Sequence, residues 1–146
     1  MTLHAEPARP HDLRGALDLL GRSELTEQDV AEHWGHYFVV HEDDGRVVGV
    51  AGLEVHGEDG LLRSVAVDAE YRGQGLAASL VEVAMTRAKR LGLRSVYLLT
   101  ASARDYFARR GFADCPREKA PEPIRQSWEF RVGCPSTAAF MKRPVA

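Results

Sequence analysis

The stretch EYRGQGLAASL, Glu70 to Leu80, constrains the fold more than any other part of the chain. LLRSVAV, from Leu61 to Val67, precedes it and reads as a strand. A helix follows from about Gly75 to Leu91. It sets Leu76, Leu80, Val83, Ala84 and Leu91 on one face, with Ser79, Glu82, Thr86 and Lys89 largely off it. Gly92 stands where a helix C-terminus favours glycine. Strand, glycine turn and helix in that order leave unpaired N–H groups at the helix start, where the dipole favours an anion. Gly73 and Gly75 allow close backbone approach, and Arg72 adds a cation. The turn is a candidate phosphate cradle.

The rest of the chain supplies a context for that turn. LHAEPA is a short first strand. Pro10 opens a helix with Leu13, Ala16, Leu17 and Leu20 on one side, and Gly21 ends it. Thr26 is placed to cap a second short helix, with Glu27 and Asp29 in its first turn. YFVVHE and VVGVAGLEVH are strands joined at Asp44-Gly45, a hairpin signal, and GEDG turns the chain into LLRSVAV. Later, SVYLLT reads as a central strand, SARDYFARR as a helix stopped by Gly111, EPIRQ as one helical turn and TAAFMKR as a last strand. Antiparallel strands first and a strand–helix–strand crossover later predict an α+β fold with a mixed sheet. With 146 residues, no internal repeat and no low-complexity linker, one domain spanning 1–146 is expected.

Several function classes lose support at once. The formal net charge of −2 gives no global basic field for nucleic acid. No apolar stretch approaches the ~20 residues that span a bilayer, so no membrane partner is expected. MTLHAEPARP lacks the apolar core of a secretory signal, which points to a cytoplasmic protein. The only cysteines, Cys115 and Cys134, are compatible with reduced thiols there. His33 and His36 lack a zincin spacing and have no companion ligands, so no metal is expected. Arginine far outnumbers Lys89, Lys119 and Lys142, which fits coding bias as well as phosphate recognition.

Three phosphate motifs can be set against the turn. A P-loop needs Gly-Lys-Ser/Thr, which is absent. The letters from Gly73 to Ala78 fit a dinucleotide fingerprint, but hairpins precede the strand where a βαβ unit is needed. VAVDAEYRGQGLAASLV closely resembles the coenzyme-A loop of the GNAT N-acetyltransferases, whose pattern Arg/Gln-x-x-Gly-x-Gly/Ala stands here from Arg72 to Ala77. YFARRGF, Tyr106 to Phe112, resembles the second coenzyme-side motif of that family, and element order agrees over nearly the whole chain.

The resemblance implies a GNAT fold with splayed central strands flanked by helices, and acetyl-CoA as cosubstrate lying where the strands at 61–67 and 95–100 part. It implies pyrophosphate binding by Arg72, Gly73, Gln74, Gly75, Leu76 and Ala77. The pantetheine arm would pair with Val65, Ala66 and Val67, and an N–H near Val65 would polarise the thioester carbonyl. Many relatives carry a tyrosine acid four residues before the glycine of the Gly-Phe pair. Phe107 stands there, on the coenzyme side; Tyr106 is one residue earlier, about 100° around the helix. Tyr106 as acid, solvent as acid, and Tyr106 as a packed aromatic all remain open. Some relatives place a glutamate early in the strand where Leu61 and Leu62 stand. Glu54 and His56, alternating onto one face of the preceding strand, are candidate bases or solvent-facing residues.

The acceptor implied is a small-molecule amine. The run from LLRSVAV to YFARRGF, and VYLLTASARDYF above all, looks like the branch that acetylates the α-amino group of amino acids such as glutamate. Arg63, then Arg125 and Arg131, are candidate carboxylate partners, and Thr100 and Ser102 candidate positioners. Arg63 reads equally as an exposed strand residue, and Ser102 as a helix cap. EFRVGCPSTAAFMKR resembles arsenic-resistance-associated GNAT enzymes, which implies an arsenic-containing analogue of glutamate as a further acceptor. Cys115 and Cys134 could bind an arsenical, form a disulfide, or fill buried space as small apolar residues. A catalytically silent acetyl-CoA-binding or arsenical-sensing protein is the alternative function. Monomer and homodimer are both compatible with the sequence.

Overall fold

The computed structural model describes residues 3–145. Among these, one mixed sheet is built from β1 (Ala5–Pro7), β2 (Tyr37–His41), β3 (Val47–His56), β4 (Asp59–Val67), β5 (Ser95–Thr100), β6 (Ala113–Asp114) and β7 (Ala139–Pro144). The strand order is β1-β2-β3-β4-β5-β7-β6. The pairs β1–β2, β2–β3, β5–β7 and β6–β7 are antiparallel. β4 runs parallel to β5, with Asp59, Gly60 and Leu61 against Ser95, Val96 and Tyr97. The helices are α1 (Leu13–Arg22), α2 (Leu76–Arg90), α3 (Arg104–Ala108) and α4 (Glu122–Arg125). α2 is the crossover that a parallel β4–β5 pair demands. This is the α+β mixed sheet that the sequence predicts.

Two compact units emerge, one comprising the chain through Leu53 with Leu62–Arg87, the other Glu54–Leu61 with residues 88–145. In the first, Ala16, Leu19 and Leu20 of α1 join Val30, Tyr37, Val39, Val47, Val50 and Ala66 in one core. In the second, Leu61, Tyr97, Leu99, Ala120, Ile124 and Phe140 form the core, with Cys115, Phe130 and Cys134 half-buried against it. Each fully buried large side chain there contributes about 1.5–3 kcal/mol over an exposed one.

Local chemistry explains where elements stop. Asp44-Gly45 makes the β2–β3 connection as expected: Gly45 has φ +89, and the Glu42 N–H donates to the Arg46 carbonyl at 2.8 Å. GEDG is only half a turn. Gly57 (φ +67) and Glu58 turn the chain, whereas Asp59 and Gly60 belong to β4. Asp59 tolerates burial in a strand because an Arg94 amino group donates to its carboxylate at 3.0 Å. α1 runs past Gly21 to Arg22, and Glu24 supplies the left-handed residue after it. Leu19 is buried on that helix, whereas Leu13 and Leu17 are only partly covered. Thr26 does not cap a helix. Its hydroxyl accepts from the Gln28 N–H at 3.0 Å, making a local turn, and a 3₁₀ segment follows at Ala31–His36.

Both glycine C-caps close in the same way. Gly92 (φ +73) donates to the Lys89 carbonyl and Leu93 to that of Ala88, a Schellman arrangement that buries Leu93 and leaves Leu91 exposed. Gly111 (φ +93) donates to Ala108 and Phe112 to Phe107, and the Phe107 and Phe112 rings meet edge to face at 5.9 Å. The Gly-Phe pair is therefore a helix stop whose phenylalanine locks onto the helix it ends.

His41 forms a half-buried bridge in the first unit. Its Nδ1 lies 2.8 Å from Glu6 and its Nε2 2.7 Å from Asp12, so both carboxylates are satisfied only when the ring is protonated. Burial alone would lower the His41 pKa, but hydrogen bonding and charge from Asp12, then Glu6, raise it above its ordinary 6.5. Burial likewise opposes ionisation of Asp12, yet the His41 bond, the Arg9 N–H and the nearby His41 and His11 charges hold its pKa below 3.8. The His41 contribution is full below pH 6.5 and fades as pH rises through its raised pKa. That of Asp12 is full above pH 3.8 and fades on acidification. Replacing His41 with Gln is expected to cost about 1–2 kcal/mol between those values. Urea unfolding across pH 5–9 should show the gap between wild type and variant shrinking toward alkaline pH; a pH-independent gap would contradict the bridge.

Candidate functional site

β4 hands the chain to the glycine turn through a capped corner. The Asp68 N–H donates to the Val48 carbonyl at 2.8 Å, and the Asp68 carboxylate accepts from the Glu70 N–H at 3.0 Å. That backbone bond chiefly lowers the Asp68 pKa, against burial, and Arg22 at 3.1 Å adds to it. Arg72 folds back so that its Nε donates to the Val67 carbonyl at 3.1 Å. Gly73 (φ +81) and Gly75 (φ +79) are both left-handed. A Cβ at either would meet nothing within 4 Å, so backbone conformation, rather than crowding within the protein, is what calls for glycine. The first helical bond of α2 runs from the Ser79 N–H to the Gly75 carbonyl at 3.0 Å. The N–H groups of Leu76, Ala77 and Ala78 therefore precede the ladder, beside exposed Arg72, Gly73, Gln74 and Gly75. An open, N–H-rich corner of this kind suits a pyrophosphate.

The strand before the corner carries a break in its pleat. Ser64 has φ +61, and Ser64 and Val65 are half-buried, whereas Ala66 and Val67 are buried. Arg63 is 4% exposed, so it is not the solvent-facing strand arginine that its sequence context allows.

In the second unit, β3 ends with Glu54, 2% exposed, and His56 two residues on. The His56 Nε2 lies 2.7 Å from Glu54 Oε1. Neither is a freely solvated strand residue. With Nε2–H donated to the carboxylate, a neutral His56 keeps Nδ1 as its acceptor, the tautomer a proton-accepting imidazole needs.

After β5 the chain turns into α3 without a side-chain cap, Ala103 standing at the N-cap position. The Thr100 hydroxyl accepts from the Ala103 N–H at 2.9 Å, whereas Ser102 is exposed. Tyr106 is half-buried, edge to face with Phe107 at 5.3 Å and beneath the Arg110 guanidinium at 5.2 Å. Phe107 is buried. Ala101, Ser102, Tyr106 and Arg109 line an open hollow at this corner.

Arg125 and Arg131 bond backbone carbonyls. Arg125 donates to Ala120 at 3.0 Å and to Glu118 at 2.6 Å, and Arg131 to Gln126 at 3.1 Å, so both brace the segment around α4. Cys115 and Cys134 are not joined in a disulfide, and their sulfurs face the Pro116 carbonyl at 3.6 Å and Glu129 at 3.7 Å. Among the described residues no group of three or more His, Cys, Asp or Glu is placed to hold a metal ion. No helix there is long and apolar enough to cross a membrane.

Residues 5–112 match the acetyltransferase (GNAT) family. An amino-acid acetyltransferase of Pseudomonas putida is 33% identical over 120 residues, covering 75% of this chain and 27% of the relative. One from Aeromonas salmonicida is 31% identical over 137 residues, covering 87% and 31%. The chain thus spans roughly a quarter to a third of the length of these relatives. Among solved structures, N-acetylglutamate synthase from Neisseria gonorrhoeae, complexed with coenzyme A and N-acetyl-glutamate, superposes with a TM-score of 0.84 at 17% identity, covering 100% of this chain and 36% of that one. A GNAT-family acetyltransferase from Staphylococcus aureus gives 0.78 at 15% identity, covering 99% and 100%. At those identities the likeness speaks for the fold.

Proposed function

The chain belongs to the acetyltransferase (GNAT) family, and from that premise we propose that it moves the acetyl group of acetyl-CoA onto the amino group of a small, carboxylate-bearing acceptor. The observation that carries this reading is the glycine corner, with Gly73 and Gly75 left-handed and the N–H groups of residues 76–78 ahead of the α2 ladder. Residues 72–77 take the pyrophosphate, and the β4 backbone at Val65, Ala66 and Val67 takes the pantetheine arm. Relatives named as amino-acid acetyltransferases favour an amino-acid acceptor. Arg63, buried on β4, is the first candidate to meet that acceptor's carboxylate.

Chemistry then divides among named groups. His56, oriented by Glu54, accepts the proton that turns the ammonium acceptor into a nucleophile. The amine nitrogen attacks the thioester carbon while the Val65 N–H stabilises the oxyanion. The C–N bond forms and the C–S bond breaks. The nitrogen sheds its second proton to water, and the coenzyme thiolate takes a proton from Tyr106 or from water. Thr100 and Ser102 flank the acceptor end, Thr100 by shaping the turn. Arg63 pairs with the acceptor carboxylate, with Arg125 and Arg131 as the further candidates.

Arg63→Ala is expected to raise KM for glutamate by about thirtyfold or more, with KM for acetyl-CoA changed less than about threefold. Steady-state kinetics with glutamate and a neutral amine checks this; equal losses for both would contradict the clamp. An arsenic-containing glutamate analogue, and with it a place in arsenic resistance, rests on the resemblance of residues 129–143 alone. Glutamate and that analogue belong in the same assay. A silent acetyl-CoA-binding protein is the second reading, favoured by Phe107 standing buried where many relatives carry the acid. Coenzyme binding without thiol release on any amine would select it.

A further inference from the structure

Ser64 is a serine in left-handed backbone inside a strand, and a side chain from two strands away reaches it. The Tyr37 hydroxyl lies 2.8 Å from the Ser64 Oγ. Tyr37 sits on β2, 1% exposed, stacked on Trp34 at a centroid distance of 5.1 Å. β3 runs between β2 and β4, so the ring must cross about 10 Å of sheet to arrive. It crosses at Gly52, its register partner on β3. A Cβ at Gly52 would stand 2.1 Å from the Tyr37 ring, so glycine is what opens the path. A buried tyrosine, a glycine gap and a strained serine thus form one strap within a single unit.

We propose that Tyr37 is a positioning residue for catalysis: its hydroxyl, carried across Gly52, holds Ser64 left-handed and so aims the next amide, Val65 N–H, at the developing oxyanion. The inference rests on the role given to Val65 in the proposed function. A left-handed residue in a strand reverses the local pleat and takes adjacent N–H groups off the ladder, which is how such an amide becomes available to a ligand. Serine resists that conformation, glycine does not. The strap is therefore needed because the residue at 64 is a serine.

That dependence supplies the test. Tyr37→Phe is expected to lower kcat about tenfold, with the Kd for coenzyme A measured by calorimetry unchanged. Ser64→Ala, which drops the hydroxyl but keeps the backbone penalty, should match it. Ser64→Gly keeps the left-handed conformation unaided, so adding Tyr37→Phe to it should change kcat less than about twofold. A Tyr37→Phe loss equally large in the Ser64→Gly background, or no loss in the wild-type background, overturns the proposal. The ¹⁵N–¹H shifts of residues 64 and 65 in the free protein provide a readout apart from turnover. They should move in Tyr37→Phe and not respond to the same change when Ser64→Gly is present. Unmoved amides overturn the strap whatever the kinetics. A wild-type chain that acetylates no amine overturns the functional reading instead, and the amides then decide the strap by themselves.

Discussion

Gly75→Asp is expected to weaken acetyl-CoA binding by about a hundredfold while the chain stays folded. Two effects act together. Gly75 has φ +79, a conformation that costs an L-residue roughly 1 kcal/mol. Any ligand-free crowding is absent, since a Cβ there meets nothing within 4 Å, so the fold survives. The new carboxylate would then stand at the start of α2, among the N–H groups of residues 76–78. It would fill the anion site from within and repel the pyrophosphate, whose charge the corner otherwise welcomes. Pairing it with Arg72→Ala also frees the Val67 carbonyl from the Arg72 Nε that ties the corner to β4. Titration calorimetry with coenzyme A reads the change directly, and thermal unfolding reports whether the fold is kept. Unchanged affinity would remove the glycine corner from coenzyme binding.

His56→Ala is expected to lower kcat by about a hundredfold, with the Kd for coenzyme A untouched. His56 is the side chain here whose geometry most resembles an oriented base: Nε2 is held at 2.7 Å by Glu54, which is 2% exposed. Glu54→Gln can still accept from Nε2 through its amide oxygen but no longer stabilises an imidazolium, so its loss should be nearer tenfold. Both variants should recover toward wild type as pH rises, because more of the acceptor amine is then free without help. A His56→Ala enzyme within twofold of wild-type kcat at neutral pH would exclude the pair from proton transfer.

Much of the fold is legible in the sequence because short-range rules decide it. β3 has the bounds its letters suggest, since an apolar run led by Asp44-Gly45 leaves little choice. Gly92 and Gly111 end their helices as expected, each left-handed and each followed by a buried residue. Misreadings fall where a distant partner overrides local preference. Asp59-Gly60 looks like a turn until Arg94 neutralises the carboxylate inside β4. The π-helical turn at Glu129–Gly133 has no sequence signature; Gly133 is needed because a Cβ there would come 2.3 Å from the Trp128 ring.

Site residues divide along the same line. The glycine corner is legible because letters, spacing and context coincide over a few residues. Glu54 and His56 stand out by their two-residue spacing, but their burial and mutual bond depend on packing that alternation does not encode. Ser102 is the cap its letters suggest, but α3 begins one residue later, with Ala103 at the N-cap position and no side-chain cap, and the Thr100 hydroxyl holds the turn ahead of it. Nothing in LLRSVAV marks Ser64 as left-handed. An available hint is Gly52, one of two glycines in β3, since a glycine inside a strand often signals a close approach by another group.

Thiol release from acetyl-CoA across a panel of amines tests the central claim most directly. The panel holds glutamate, other amino acids, an arsenic-containing glutamate analogue, a polyamine and a lysine peptide, each with and without trivalent arsenic. Turnover on an acidic amino acid or its analogue, well above that on the polyamine and the peptide and reduced by Arg63→Ala, is the predicted result. Tight coenzyme binding with thiol release no faster than background hydrolysis on every amine would contradict it and leave a coenzyme-binding protein without transferase activity.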